Sequence, residues 1–367
     1  MKTLTGGVLG LFPSFARIGG VERSGQAAWR AITEASAGEN HLISYGPLVE
    51  TMPGSGFTTH QTSSQLGSVL LAANRKWPVR MTVVWHLGML KLLPFIRGGG
   101  STVLFLHGIE AWRPASSAVA RLALAKLLGR VDLFLSNSDF TWEKFLECHR
   151  DMPDLRSAKQ CTVALGIGEP RDAGRDVSPT DPPSAVMIGR VARSEGYKGH
   201  DAVIAAWSQV RAGIPGAMLR MIGNCDMREE LLALAARHGV GDAVEIAGMV
   251  SEEAKERYLS KCRCMALPSR GEGFGLAYIE SMRMGRPSVV SLSDAGREVV
   301  CAERNGAAAG LAVNPSDAGA LAAALIRLMT PGAEWERWSA DSRRRYAANF
   351  TESQFRERLM AALAGLA

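Results

Sequence analysis

Short apolar runs alternate with helix-patterned stretches twice along this chain, and that alternation leaves few folds open. "TGGVLGLF", "HLISYG", "VRMTVVWH", "STVLFLHG" and "VDLFLSNS" occupy the first half, with segments such as "VERSGQAAWRAITEA" between most of them. A strand that is apolar on both faces must be covered on both faces, and helices between such strands do this for a parallel sheet. The pattern breaks at "GIGEPRDAGRDVSPTDPPS", Gly166 to Ser184, which is rich in Gly, Pro and Asp and has no apolar period. It restarts with "SAVMIGRV", "GAMLRMIGN", "AVEIAGMV", "CRCMALPS" and "RPSVVSLS". The chain's 367 residues suit two domains at roughly 150 residues each. The expectation is α/β: two doubly wound, Rossmann-like domains facing across a cleft. Residues 1–168 form the first and 184–345 the second, joined by a linker at 169–183. A C-terminal helix, 346–367, packs back on the first.

A formal net charge of +6 suits anionic small ligands, an anionic membrane surface or nucleic acid, and does not choose among them. Nucleic acid is not expected, since Lys and Arg are dispersed and no reading motif occurs. Six cysteines form no C-x-x-C pair and have no zinc spacing, so they read as reduced thiols of a cytoplasmic protein. No run reaches the roughly 20 apolar residues of a membrane span. The N-terminal "MKTLTGGVLGLFPSFARIGG" reads as a first strand and loop rather than a signal peptide.

The richest stretch is "SRGEGFGLAYIESMRMGRPSVVSLS", Ser269 to Ser293. "CRCMALPS" supplies a strand, "RGEGFG" a loop, and "LAYIESMRMG" a helix ended by Gly285 and Pro287. A helix N-terminus offers free N–H groups and a positive dipole end to a phosphate. Gly273 and Gly275 let backbone approach a ligand closely. Glu272 before the helix and Glu280 within it would repel that phosphate, so hydroxyl donors suit them better: a sugar at one end and a ribose at the other. The same spacing also fits an ordinary βα turn.

"EGFGLAYIE", two glutamates with seven residues between them, resembles the signature of retaining GT-B glycosyltransferases of the glycosyltransferase family 4 type. The resemblance extends over nearly the whole chain. It takes in "GG" at Gly19 and Gly20, "HG" at His107, "GR" at Gly189, "KG" at Lys198 and "GLAVNP" at Gly310 to Pro315, in the family's order. Most relatives have "EAM" where this chain has "ESM". The resemblance implies a GT-B fold, with an N-terminal acceptor domain and a C-terminal domain for a nucleoside diphosphate sugar. Arg190 and Lys198 would neutralise the diphosphate. Gly273, Phe274, Gly275 and Leu276 would line the donor site, Glu272 the sugar and Glu280 the ribose. "SEGYKGHD" resembles a subgroup that includes mannosyltransferases acting on lipid-linked saccharides. No Asp-x-Asp occurs, so neither metal nor any other cofactor is expected.

In the first half the resemblance brings Gly19 and Gly20 to the diphosphate and His107 to the transferred sugar; plain structural roles are the alternative for each. His86, Glu110 and Arg113 are acceptor candidates, and "SNSDFT" at Ser136 to Thr141 is similarly placed. "WHLGMLKLLPFIRGG" and "ARLALAKLLGR" combine apolar residues with cations; they suit core helices or weak contact with an anionic membrane surface. The function implied is transfer of a hexose, mannose or glucose, to a hydroxyl of a saccharide or lipid-linked acceptor, with retention, in cell-envelope polysaccharide or glycolipid synthesis. A nucleotide-sugar epimerase and a non-catalytic nucleotide-sugar binding subunit are the alternatives.

Overall fold

The computed structural model describes residues 4–13, 19–45, 56–62, 64–152, 155–170, 178–301 and 308–366. The chain divides into two compact units: unit 1 is Met1–Gly166 with Glu352–Ala367, and unit 2 is Ile167–Thr351.

Unit 1 runs β1 (Val8–Phe12), α1 (Gly20–Ala35), β2 (Asn40–Tyr45), β3 (Phe57–Thr62), α2 (Gln65–Ala73), β4 (Met81–Val84), β5 (Ser101–Leu106), α3 (Ala118–Leu128), β6 (Leu133–Ser136), α4 (Asp139–Cys148) and β7 (Gln160–Thr162). Its seven strands are parallel and lie in the order β3-β2-β1-β4-β5-β6-β7. The strands β1, β4 and β6 are buried along their whole length, as apolar runs covered on both faces must be. The sequence pattern does not reveal β3, "FTTHQT", or β7, "QCT". Both are sheet edges, where partial solvation removes the demand for apolar residues. Residues 87–95, "LGMLKLLPF", form a 3-10 helix containing Pro94; Met89, Leu90, Leu92 and Leu93 are buried in the core.

Unit 2 runs β8 (Ser184–Ile188), α5 (His200–Gly213), β9 (Met218–Ile222), α6 (Arg228–Arg237), β10 (Val244–Gly248), α7 (Glu252–Lys261), β11 (Cys264–Leu267), α8 (Leu276–Arg283), β12 (Ser288–Ser291), β13 (Gly310–Val313), α9 (Ala318–Met329) and α10 (Ala333–Asn349). Its six strands are parallel, in the order β10-β9-β8-β11-β12-β13. Strand order reverses between β1 and β4 in unit 1 and between β8 and β11 in unit 2. In doubly wound sheets ligands bind beyond the carboxyl ends of the strands at such points.

The expected domain limits shift in two places. Unit 2 starts at Ile167, inside the stretch assigned to the first domain, because Ile167 N–H donates to Phe350 O (3.1 Å) and Tyr346 hydroxyl donates to Ile167 O (2.5 Å). Residues 171–177 of the expected linker lie outside the described residues. The helix expected from 346 is two helices. Residues 346–349 end α10 in unit 2, and α11 (Glu352–Ala364) belongs to unit 1. There it packs on α1, pairs Arg356 with Glu34, and donates from Arg358 to Ala164 O at 3.1 Å.

Candidate active site

In unit 2 the residues of interest gather where β8 and β11 end. After β8 the chain passes Gly189 and Arg190 into a 3-10 turn, Arg193–Lys198, where the sequence reading expected an open loop. That turn brings Lys198 back so that Nζ lies 2.5 Å from Glu272 Oε1 and 3.8 Å from Glu195 Oε2. Glu195 is buried and also pairs with Arg190, which is 72% exposed. Burial opposes the charge of Lys198. Glu272, with Tyr197 and Glu195, nonetheless holds its ammonium above the ordinary lysine range. Lys198 and Glu272, expected at different parts of a ligand, are therefore partners of each other. The left-handed Gly199 (φ 79°) ends the turn, and a Cβ there would lie 2.7 Å from Pro268 O in the loop after β11. Glycine is what allows the two loops to come this close.

The loop after β11 is held from below. Asp294, in the loop after β12, accepts from Glu272 N–H (3.1 Å) and Gly296 N–H (2.9 Å), and Ala295 N–H donates to Glu272 O (3.1 Å). Burial pushes the Asp294 carboxyl up to about 7, against those two backbone hydrogen bonds. Neither Asp294 nor Glu195 was singled out by the sequence reading. Glu195 stands inside the quoted "SEGYKGHD" and could have been found as the acid that lies between Arg190 and Lys198, the two cations expected at the diphosphate; Asp294 carries no local signal.

Helix α8 opens at Gly275 (φ 82°), and no side chain caps it. Glu280 sits in the second turn and meets Lys255 of α7 at 2.7 Å; Lys255 also meets Glu252 at 2.9 Å. Lys255 is a further residue that the sequence reading missed, since nothing local couples it to a helix 25 residues on. Phe274 stands just before α8. Its ring is buried against Phe350 (centroids 5.9 Å apart), so any part it has in a donor site is through backbone. Gly273 is buried, and Leu276 is half-buried at the start of α8.

In unit 1, His107 follows β5, buried under the rings of Trp85 and Phe105 (centroids 4.9 and 4.7 Å away). Its Nε2 lies 2.7 Å from Trp85 O, an acceptor, so Nε2 carries the proton and Nδ1 is a bare acceptor with no hydrogen-bond partner among the described residues. Burial pushes this imidazole down to about 3, with His86 adding to the shift. Asn137 donates to His107 O (2.7 Å), and its Oδ1 also lacks a partner among the described residues. Two buried acceptors at neighbouring strand ends suit ligand hydroxyls.

Other candidates in unit 1 have structural work. His86 caps the 3-10 helix, accepting from Gly88 N–H at 2.9 Å. Glu110 accepts from His107 N–H (2.6 Å) and Gly108 N–H (3.2 Å), which turns it onto its own loop. Ser138 caps α4. Arg113 is exposed. Gly19 and Gly20 open α1, with the Glu22 carboxylate against Gly19; residues 14–18 of that loop lie outside the described residues. A cavity of about 360 Å³ lies at the opposite, amino ends of β1, β4 and β5, lined by Gly7, Val8, Arg80 and Ser101, away from all of these groups. Among the described residues no three or more His, Cys, Asp or Glu come together to hold a metal ion, and no helix is long and apolar enough to cross a membrane.

Residues 182–331 match the family described as Glycosyl transferases group 1. A glycogen synthase of Mycobacterium tuberculosis is 30% identical over 172 residues, 47% of this chain and 40% of that protein. A GDP-mannose-dependent monoacylated alpha-(1-6)-phosphatidylinositol monomannoside mannosyltransferase of Corynebacterium glutamicum is 26% identical over 252 residues, 63% of this chain and 61% of that protein. The matched part spans less than two thirds of these relatives' length. Among solved structures, Anabaena HepE in complex with UDP and glucose superposes with a TM-score of 0.74 at 15% identity, covering 97% of this chain and 99% of that one. Sucrose-phosphate synthase from Thermosynechococcus elongatus gives 0.74 at 19% identity, covering 98% of each chain. These likenesses establish the fold. Residues 182–331 are thus similar to the glycosyl transferases group 1 family, and the chain that carries them has the GT-B fold.

Proposed function

We propose that this protein is a retaining, metal-independent glycosyltransferase that moves a hexose, mannose or glucose, from a nucleoside diphosphate sugar to a hydroxyl of a saccharide or lipid-linked acceptor. The observation that carries this reading is the convergence of Arg190, Lys198, Glu272 and the uncapped N-terminus of α8 where β8 and β11 end. Two cations and free backbone N–H groups match a diphosphate, and Glu272 and Glu280 match hydroxyls. The printed name of one relative, a GDP-mannose-dependent mannosyltransferase, supports mannose as a donor sugar.

Donor binding then exchanges partners. The diphosphate takes Lys198 from Glu272, and the freed carboxylate turns to the sugar. As the bond between the anomeric carbon and diphosphate oxygen lengthens, negative charge grows on the leaving group, where Arg190, Lys198 and backbone N–H groups stabilise it. The acceptor hydroxyl attacks from the same face, and its proton passes to the leaving phosphate oxygen. His107 is assigned to the transferred sugar by the family resemblance, and its bare Nδ1, on an imidazole held neutral, is suited to accept a hydroxyl. Gly19 and Gly20 are assigned to the donor, and Arg113 to the acceptor. His86 and Glu110 support the loops that carry these groups.

The test is a panel of GDP- and UDP-sugars assayed for nucleotide release, with and without a membrane extract, before and after exhaustive chelation. Release from one donor that requires extract and survives chelation is the expected result. Isomerised donor in the absence of acceptor would replace this reading with an epimerase, and binding without turnover would replace it with a non-catalytic subunit.

A further inference from the structure

The positive charge of this protein is not spread along it. Residues 51–131 contain nine Lys or Arg and one acid, Glu110; of the chain's 42 Lys and Arg and 36 Asp and Glu, 33 and 35 lie elsewhere. The whole cationic excess therefore belongs to one segment of unit 1, and the impression of dispersed cations is corrected. All nine cations are exposed. Glu110 is turned onto the backbone of its own loop.

The same segment carries the apolar surface. Helices α2 and α3 both pack on the 3-10 helix at 87–95, and none of the three elements contains an acid. Val69, Leu71, Leu124 and Leu127 pack against the core. Leu66 (69% exposed), Leu70 (63%), Val119 (79%) and Leu122 (60%) do not. Positions 66 and 70, and 119 and 122, are four and three apart, so each pair shares one helix face. Five of the eight exposed large hydrophobic residues among the described residues fall in these three elements, a clustering that isolated surface leucines would not produce. Lys126 follows Leu122 by one turn on α3, and Lys91 on the 3-10 helix lies 2.6 Å from Gln65 at the start of α2. Arg121 meets Asp151 at 3.8 Å, an exposed pair of little energetic weight.

We infer that this face of unit 1 docks on an anionic membrane surface, with Leu66, Leu70, Val119 and Leu122 entering the interfacial layer and Lys91, Arg121 and Lys126 meeting anionic headgroups. Lysine stems lie along apolar surface while their ammonium groups stay in the wet layer, so apolar and cationic side chains act there together. A second copy of the chain is a poorer occupant. A twofold contact would set this cationic face against itself. Nucleic acid would leave the leucines without an apolar partner. The inference goes beyond the sugar-transfer reading and does not depend on it.

The test is flotation of the full chain with phosphatidylcholine vesicles, with and without phosphatidylglycerol, at low and high salt. Binding is expected only with phosphatidylglycerol, and weaker at high salt, because screening shortens the reach of the charges. Each of Lys91→Glu and Lys126→Glu should weaken partitioning by on the order of tenfold. Leu70→Ser with Leu122→Ser should weaken it by about tenfold or more. Because these side chains are exposed, the melting temperature should stay unchanged, which separates docking from folding. No binding at low salt, equal binding to both vesicles, or indifference to all these substitutions would overturn the inference. So would a dimer that the leucine variants convert to monomer.

Discussion

Lys198 and Glu272 carry the sharpest predictions at the scale of single residues. Their side chains are 11% and 16% exposed and lie 2.5 Å apart, so removing one leaves the other charged and largely out of water. Lys198→Met should cost about 3 kcal/mol of stability and about a hundredfold in transfer. Adding Glu272→Gln should restore part of the stability and none of the transfer. Arg190→Ala should lose transfer on the same scale with little change in stability, because Arg190 is 72% exposed. Denaturant melts alongside transfer kinetics check all three; a Lys198→Met protein as stable and active as the parent would dismantle the site. Asp294 gives a second prediction. Its folded pKa, about 7, lies above the 3.8 of an unperturbed carboxyl, so the folded protein holds that proton more tightly. Its contribution to stability is complete below about 4 and is lost as pH rises through 7. Asp294→Asn should remove that slope. It also sets an amide N–H₂ against one of two backbone N–H groups, so transfer should fall about tenfold, and the acid limb near pH 7 should vanish from the rate profile. An unchanged pH–rate profile would show that Asp294 does not position Glu272.

At the scale of elements, the turn into α8 matters most. Gly275 has φ 82°, and a Cβ there would sit 2.4 Å from the Tyr278 ring. That ring is fixed by burial and by its hydroxyl, which donates to Leu267 O at 2.9 Å. Gly275→Ala should therefore destabilise unit 2 by about 1–3 kcal/mol and weaken nucleoside diphosphate binding by disturbing the first turn of α8. Calorimetry with UDP and GDP reads the second effect; undiminished affinity would mean that the helix N-terminus does not face the phosphates. The glycine turn, the helix and its end at Gly285 were legible as a local pattern of residues. The 3-10 turn at 193–198 was not, because its course is set by Glu195 meeting cations at both ends. The edge strands β3 and β7 were hidden for the opposite reason: they need few apolar residues.

The two units should respond differently to acid. In unit 1, burial lowers the pKa of His41, His60, His107 and His149 from the ordinary 6.5. The unfolded chain then takes up protons first, so the stability these residues contribute is present above about 6.5 and is lost as pH falls below it. In unit 2, burial holds His200 down to about 4, and Asp294 has an effect of the opposite sign. Acidification from pH 7 to 5 should therefore open unit 1 first. Hydrogen exchange followed by mass spectrometry would show protection lost in β2, β3 and β5 before β8 and β11; the reverse order would contradict the assignment.

Sequence alone determined the α/β class, the parallel sheets and the helix-opening glycine turn, because each is a local or periodic demand: apolar runs for doubly covered strands, glycine for a left-handed backbone. It also supplied Arg190, Lys198, Glu272 and Glu280 as groups worth watching, by their place in short motifs. Tertiary structure decided which groups touch. Lys198 meets Glu272 across 74 residues and Glu280 meets Lys255 across 25. Asp294 reaches up to Glu272 from the next strand, while Phe274 turns into the core. Hydrogen bonds and ion pairs act over a few ångströms, and which residues come within that range is set by the order of strands in a sheet, which no local pattern of residues records.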